Sequence, residues 1–419
     1  MRKTLRSVIA AGAAAACAVT GLAACGGSDI LSQARNGGPA PCPTTAGVDR
    51  ASIDLGMLYS GSADNGDTSA RFRAGVDARL GEVNAKGGIN GRRLGYRIAD
   101  DEGSPSLNAA GARILARDDD TLAVLQFSEA SAGSAKVLSD AGMPVVDGQI
   151  TDPGIASRAN VFSYSRPLVS QPAPSGWGDF LNDRGARRVA VVSLQLSPGT
   201  QAMAHAAEQS VRAADLRVST SLQVPAGPID RQAFADQILA ADADSLIAFV
   251  PAPTFYQLVR GVREAGLGLA AIIGGPTSYD RSQLAALGDK AAGVYAFLDY
   301  TPFEINAAAH RRFLTALATH APQAAALPDG PALVGWISAD LLLRGIAAAG
   351  VCPTRAGVLA GLRQQTHYDA DGLLPAPINL SRGITAVTPC YDYVRVNPKG
   401  SAFSPVSATP KCGHVLPTQ

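Results

Sequence analysis

Aromatic side chains make up only 5% of the 419 residues, and there are four methionines and five histidines. A site built from stacked rings would have few residues to draw on. His205, His310, His320, His367 and His414 are scattered, and no Cys-x-x-Cys pair exists, so no metal site is expected. Charge of one sign is also missing. Lys and Arg total 36 against 35 Asp and Glu, a net charge of +1, which removes the electrostatic footprint of a nucleic-acid binder. The chain lacks a Gly-x-Ser-x-Gly elbow, a His-Glu-x-x-His zinc helix and a Walker loop, so neither a catalytic group nor a cofactor is expected. With 47% hydrophobic and 17% charged residues, a disordered, collagen-like or polytopic membrane chain is excluded.

Some local patterns invite an enzymatic reading but fail on context. Gly266-Leu267-Gly268 superficially matches a dinucleotide fingerprint, yet it leaves a helix and enters a strand, the reverse of the required order. Residues 87–93 are glycine-rich and basic but lack the Gly-Lys-Ser/Thr ending, so they read as a turn. Asp100 and Asp101 are strand neighbours that point to opposite faces and do not converge on one atom. Residues 118–120 read as a solvated acidic loop.

The N-terminus has a basic start (Arg2, Lys3, Arg6), an Ala/Val-rich run and small residues leading to Cys25, the layout of an export signal over residues 1–24. Its removal takes three basic residues and no acidic one, leaving a net charge of −2. Leu22-Ala23-Ala24-Cys25 resembles a bacterial lipobox, which makes Cys25 the expected lipidation site and places the protein on the outer face of the cell membrane. An ordinary signal peptide with incidental cysteines is the competing reading. Residues 25–50, rich in Gly, Pro, Ser and Thr, suit a flexible tether. Cys42, Cys352, Cys390 and Cys412 remain, and an even number in an exported chain points to two disulfides. Three pairings are possible and sequence does not choose among them; Cys352 with Cys390 and Cys42 with Cys412 is the arrangement expected here.

From Ile53 onward short apolar runs alternate with helical periodicity. Strands are expected at residues 53–59, 94–98, 122–127 and 144–146, and in a second series at 189–194, 218–224, 245–250 and 269–273. Helix-length segments separate them. Such alternation implies an α/β fold of two doubly wound lobes, each a parallel sheet covered by helices. Further on come a strand at 294–298, helices at 304–319, 331–349 and 354–365, and a hairpin from 391 to 403. The helix at 331–349 is apolar nearly all round, so burial is expected. In doubly wound folds, ligands bind at loops leaving the carboxyl ends of strands.

Residues 53–61 (Ile-Asp-Leu-Gly-Met-Leu-Tyr-Ser-Gly), then Gly75, Asn84-Ala85-Lys86-Gly87-Gly88-Ile89-Asn90-Gly91-Arg92, Asp100-Asp101 and Gly142-Met143-Pro144-Val145-Val146, resemble the leucine/isoleucine/valine-type substrate-binding proteins of ABC transporters. The resemblance runs from about residue 53 to 300 and more loosely to 394. It implies a type I periplasmic-binding-protein fold with three hinge crossings near Phe162, Gly275 and Ala370. Lobe 1 would hold 51–162 and 276–370, and lobe 2 would hold 163–275 and 371–412. The implied function is capture of a small molecule between the lobes for delivery to an ABC permease, by a monomer and without cofactor. In the family, hydroxyls and amides of the first lobe grip a ligand carboxylate, and Ser128 and Thr151 stand at those positions. Their competing role is helix capping. Tyr59, Ser60, Phe127, Glu129, Gln149, Tyr164, Gln195, Pro251, Thr254, Tyr279 and Tyr300 are further candidate ligand contacts by position.

The second lobe departs from the pattern. Amino-acid binders place an acid after the strand that here reads 269–273, where this chain has Gly274-Gly275-Pro276, and an aromatic expected before Gly199 is Pro198. Losing one partner of a buried pair costs roughly 3–5 kcal/mol. A ligand that is not a simple α-amino acid is therefore expected. Glu129 or Asp280 would be the substitutes, although Glu129 adjoins the carboxylate position and would repel it. Two other functions compete: a lipoprotein sensor that signals to a membrane partner without transport, and a secreted hydrolase, for which no nucleophile constellation is visible.

Overall fold

The computed structural model describes residues 42–43, 45–63, 66–117, 120–150, 152–156, 158–165, 172–325, 329–384 and 389–417. The signal segment, Cys25, most of the tether and Thr151 lie outside the described residues.

The first sheet comes from the first series. Strands β1 (Ser52–Tyr59), β2 (Arg93–Asp100), β3 (Val124–Phe127), β4 (Val145–Asp147) and β5 (Val161–Phe162) are all parallel, in the order β2-β1-β3-β4-β5. They alternate with α1 (Gly66–Ala85), α2 (Pro105–Arg117), α3 (Ala132–Asp140) and α4 (Pro153–Ala156). Because helices cover both faces, β3 and β4 are buried at every position and read as continuous apolar runs.

The chain then builds α5 (Gly176–Asp183), β6 (Arg188–Leu194), α6 (Pro198–Ala213), β7 (Arg217–Val224), α7 (Arg231–Ala240), β8 (Ser245–Phe249), α8 (Ala252–Glu264), β9 (Ala271–Gly274), α9 (Arg281–Leu287) and β10 (Tyr295–Leu298). It continues through α10 (Ala308–His320), α11 (Gly330–Ala348) and α12 (Arg355–Arg363) to β11 (Cys390–Val396), β12 (Phe403–Pro405) and β13 (Lys411–Cys412). The second sheet runs β12-β11-β10-β9-β8-β6-β7, with β13 on β11. Its helices start on local caps. Ser197 accepts from the Thr200 amide with Pro198 in the first turn of α6, and Asp230 accepts from the Ala233 amide of α7.

Helices α10 to α12 return to lobe 1. The apolar helix α11 is long and apolar enough to span a membrane, but it is largely buried and lies against α1. Glycines allow that approach: a Cβ at Gly75 would stand 1.8 Å from the Ala332 carbonyl oxygen, and one at Gly335 would stand 1.9 Å from that of Phe72.

Below this contact a buried charge network ties the helices together. Asp340 on α11 accepts from Arg79 Nε at 2.9 Å and Nη2 at 2.8 Å, and from Arg344 Nε at 2.8 Å. Tyr368 reaches the same carboxylate at 3.2 Å. Burial alone would raise the Asp340 pKa, but the two guanidinium groups outweigh it and bring it down to about 2. Arg344 and Arg312 then extend to Asp371, in the turn whose Leu373 carbonyl accepts the Thr301 amide.

The lobe boundaries differ from the expected ones after the first crossing. Strand β10 pairs with β9 in parallel and with β11 antiparallel, so residues 276–298 belong to lobe 2, and the second crossing lies at Asp299 to Thr301. Ala370 is buried in lobe 1 beside Tyr368, whose hydroxyl donates to the Ile337 carbonyl of α11. Ile384 still packs with β5, so the third crossing falls between Ile384 and Pro389. The sequence reading erred because β10 follows α9 without any composition shift to mark which sheet it joins.

The disulfides also differ from the expected pairing. They are Cys42–Cys352 and Cys390–Cys412. Cys42 lies at the amino end of the first sheet, against the α11–α12 connection, where buried Arg92 donates to the Asp49 and Val351 carbonyls. Cys390 and Cys412 are cross-strand partners on β11 and β13. Each bridge stays within one lobe, whereas the expected pairing would have bound the lobes to each other.

Two outcomes follow from this packing. Peptide mapping without reduction should recover 42–352 and 390–412 linkages, and Cys412→Ser should cost about 3 kcal/mol of stability while leaving ligand affinity unchanged. Asp340→Ala, which leaves buried Arg79 with Glu82 alone and takes from Arg344 one of its two carboxylates, should lower the free energy of unfolding by about 3 kcal/mol in urea denaturation.

Candidate functional site

The chain leaves β5 and β10 at their carboxyl ends to cross between the lobes, so the loops after β1, β3 and β4 in lobe 1 and after β6, β8 and β9 in lobe 2 lie at the ends of the sheets from which these crossings start. In lobe 1 a buried hydrogen-bond chain positions those loops. Ser60 Oγ donates to Asp101 Oδ1 at 2.7 Å, and Asn108 Nδ2 donates to Asp101 Oδ2 at 2.8 Å. Asn108 Oδ1 accepts the Ser134 amide at 2.6 Å, and Ser134 Oγ donates to Gln126 Oε1 at 2.8 Å. Gln126 Nε2 donates to Asp147 Oδ2 at 2.7 Å, and Asp147 Oδ1 accepts the Gln149 amide at 2.9 Å. The chain runs from the β1 loop to the β4 loop without a break.

Ser60 has one hydroxyl proton, and the Asp101 carboxylate takes it. The Ser128 oxygen lies 3.2 Å from the Ser60 oxygen and accepts the Ala130 amide at 2.9 Å. Its own proton stays available to Ser60 or to an acceptor in the cleft. Ser131, at the start of α3, is wholly buried, and its hydroxyl has no hydrogen-bond partner. The Gly133 and Ser134 amides at this helix start are taken by the Ala130 carbonyl and by Asn108, so the Ser131 hydroxyl is the group here with a proton to donate to a polar ligand atom.

The carboxyl groups here are displaced from their ordinary pKa values. Full burial pushes Asp147 up to about 7 despite its two donors. Glu129 is exposed to solvent, yet desolvation by the surrounding protein raises its pKa. Burial likewise raises Asp299, which accepts from Ser165 Oγ at 2.5 Å and so links the first crossing to the second. Tyr164 and Tyr300 are buried beside it, and burial raises both phenols well above their usual range.

The candidate residues divide between cleft and packing. Ser60, Ser128, Glu129 and Gln149 stand on the lobe 1 loops, exposed Gln195 and Pro251 on the lobe 2 rim, and Tyr164 and Tyr300 at the crossings. Thr151 lies outside the described residues. Four others serve packing. Tyr59 shares a face of β1 with Leu55 and Met57, so its ring turns toward α1 and lines a separate groove of about 490 Å³ with Arg71, Arg73 and His320. Phe127 stacks on Phe72 with ring centres 4.4 Å apart, and Thr254 is buried in the first turn of α8. Tyr279 donates to Glu304 Oε2 at 2.6 Å, next to the Arg281–Glu304 ion pair, and anchors the start of α9.

Sequence reasoning missed Asn108, Gln126, Ser134, Asp147 and Asp299 and gave Asp101 no part in the site. Asp101, Asp147 and Asp299 stand at or just past strand ends, whereas Asn108 and Ser134 lie inside helices and Gln126 inside β3, and only the fold connects them.

A family model described as "Periplasmic binding protein" matches residues 52–401. The Leu/Ile/Val-binding protein homolog 7 of Brucella melitensis is 25% identical over 270 residues, covering 61% of this chain and 67% of that protein. Among solved structures, a solute-binding protein of an ABC transporter from R. palustris in complex with 4-hydroxybenzoate superposes with a TM-score of 0.73 at 17% identity, covering 86% of this chain and 97% of that one. The branched-chain amino acid transporter substrate-binding protein from Streptococcus pneumoniae in complex with isoleucine gives 0.68 at 17% identity, covering 85% and 99%.

Asp147 supplies a pH test. Its folded pKa lies above the unfolded value, so the folded state binds more protons between about pH 4 and pH 7, and stability falls as pH rises through that window. Asp147→Asn should flatten this slope, by on the order of 2–4 kcal/mol over the window, in thermal melts taken at a series of pH values.

Proposed function

The chain belongs to the periplasmic binding protein family and has its type I fold, and from that premise we propose a lipid-anchored extracytoplasmic receptor that captures a small organic ligand between its lobes for an ABC importer. The observation that supports this reading is the topology: the parallel strands of both sheets end on the side from which the crossings leave, and the two disulfides among the described residues each stay within one lobe. Closure then depends on the ligand making better contacts in the closed state than in the open one.

Ligand contacts in lobe 1 come from Ser128, Ser131 and neighbouring amides, with Thr151 completing the set and Gln149 on the rim. In lobe 2 they come from Gln195 and Pro251, and Tyr164 and Tyr300 form the floor. The turn after β9 is a 3-10 turn at Pro276–Ser278 preceded by two glycines, with no acid to meet an α-ammonium group. A branched-chain amino acid is therefore a poor ligand for this protein. Cys25 carries the lipid on the outer face of the cell membrane, the tether expected over 25–50 ends at Cys42, which is bridged to Cys352, and the protein works as a monomer.

Differential scanning fluorimetry on the mature protein tests this. Ligand at 100 times its dissociation constant should add about 2.7 kcal/mol of stability. Small-angle scattering should show a more compact particle with the same compound. Stabilisation by leucine or valine would reject the exclusion of branched-chain amino acids, and stabilisation without compaction would reject closure.

A further inference from the structure

The two disulfides sit in different electrostatic surroundings. Buried Arg92, just before β2, donates from Nε to the Asp49 carbonyl at 2.8 Å and from Nη1 to the Val351 carbonyl at 3.0 Å. Those two bonds fix the guanidinium plane, and Nη2 then stands 3.0 Å from Cys42 Sγ. Among the described residues no cation touches the sulfurs of Cys390 or Cys412; Lys411, next to Cys412 in the chain, is taken by Asp183.

A guanidinium beside a closed disulfide does little, because a bonded sulfur is a weak acceptor. It does much for the thiolate formed when the bridge opens. A neighbouring arginine lowers the pKa of a thiol, and a thiol of lower pKa leaves faster and makes the couple more oxidising. Here the charge is fixed in place before reduction begins.

The bridge is also accessible. Cys42 and Cys352 are half-buried, and Val351 and Thr354 beside Cys352 are exposed. The chain after Cys42 is held independently of the bridge. The Val48 amide donates to the Thr45 carbonyl at 3.0 Å, the Gly47 carbonyl accepts the Asp54 amide at 2.8 Å, and a Cβ on Gly47 would stand 2.2 Å from the Leu122 nitrogen. Opening the bridge therefore releases Cys42 from the α11–α12 connection without unpacking lobe 1.

We propose that Cys42–Cys352 is a thiol–disulfide exchange site for an exported dithiol reductant, with Arg92 selecting Cys42 as the leaving sulfur. One thiol of the reductant loses its proton to solvent and attacks Cys352 Sγ. A mixed disulfide forms, the Cys42–Cys352 bond breaks, and its electron pair leaves on Cys42 as a thiolate beside Arg92. The second thiol of the reductant then attacks its partner sulfur in the mixed disulfide and passes its proton to the departing Cys352. The reductant ends as a disulfide, and two electrons have entered the bridge. Redox state thus sets where the N-terminal segment is fastened, at Cys42 or at the Thr45–Val48 turn. Cys390–Cys412 stays closed under the same conditions, although Cys412 is the more exposed.

The test needs no ligand. The mature protein is equilibrated with mixtures of reduced and oxidised dithiothreitol, free thiols are trapped by alkylation, and each bridge is read by peptide mass mapping. The 42–352 bridge should open at a ratio of reduced to oxidised reagent at least tenfold lower than the 390–412 bridge, a difference of about 30 mV. In the reduced protein, the pH dependence of alkylation should place the Cys42 thiol below the ordinary value of about 8.5 and below Cys352. Arg92→Lys, which keeps the charge, should retain both results. Arg92→Gln should raise the ratio needed about tenfold and return Cys42 to the ordinary value, with circular dichroism confirming the fold. The first two readings use the unaltered protein and decide the matter even if Arg92→Gln does not fold. Equal ratios for the two bridges, earlier opening of 390–412, an ordinary Cys42 thiol, or a folded Arg92→Gln variant with unchanged values would overturn the proposal.

Discussion

Asp340 is the point on which lobe 1 depends. A carboxylate sealed between α1 and α11 is tolerable only because Arg79 and Arg344 approach it from two directions and Tyr368 closes a third. Through Arg344 and Arg312 the same network reaches Asp371, and through the adjoining turn it holds Thr301 at the second crossing. The second crossing is thus attached to the buried charge network of lobe 1. Among the described residues lobe 2 has no comparable charged centre; its core holds a ring cluster around Trp177, with Phe249, Phe297 and Tyr391 at centroid distances between 5.2 and 5.6 Å.

The two disulfides follow the same division of labour. One pins the N-terminal segment to lobe 1 at the pole away from the cleft, and the other fastens the C-terminal strand to lobe 2 just after the third crossing. Neither restrains the angle between the lobes. A receptor that must open and close can carry stabilising cross-links only inside its rigid bodies, because a bridge between them would restrict the motion that the ligand is meant to drive. The Ser60–Asp101–Asn108–Ser134–Gln126–Asp147 chain does for the cleft wall what the disulfides do for the lobe margins. It holds four loops in register through buried, nearly fully paired polar groups.

Much of the architecture was legible in the residues. Apolar runs such as 53–59 and 189–194 announced strands because both faces of a covered parallel sheet are buried, and the uniformly apolar α11 announced a core helix. The site was only partly legible. Ser128 and Glu129 could be placed because they directly follow an apolar strand. Tyr59 and Phe127 show why: a strand-end aromatic has the same appearance in sequence whether its ring faces a loop or a helix. Strand parity sends one under α1 and the other onto Phe72.

The sequence by itself determined the class of fold, the alternation that makes two sheets and the export character of its N-terminus, since these rest on local periodicity and composition. Tertiary structure decided which sheet takes β10 and which cysteines meet. Those outcomes depend on contacts between residues far apart in the chain, up to 310 positions for Cys42 and Cys352, and no local pattern encodes them.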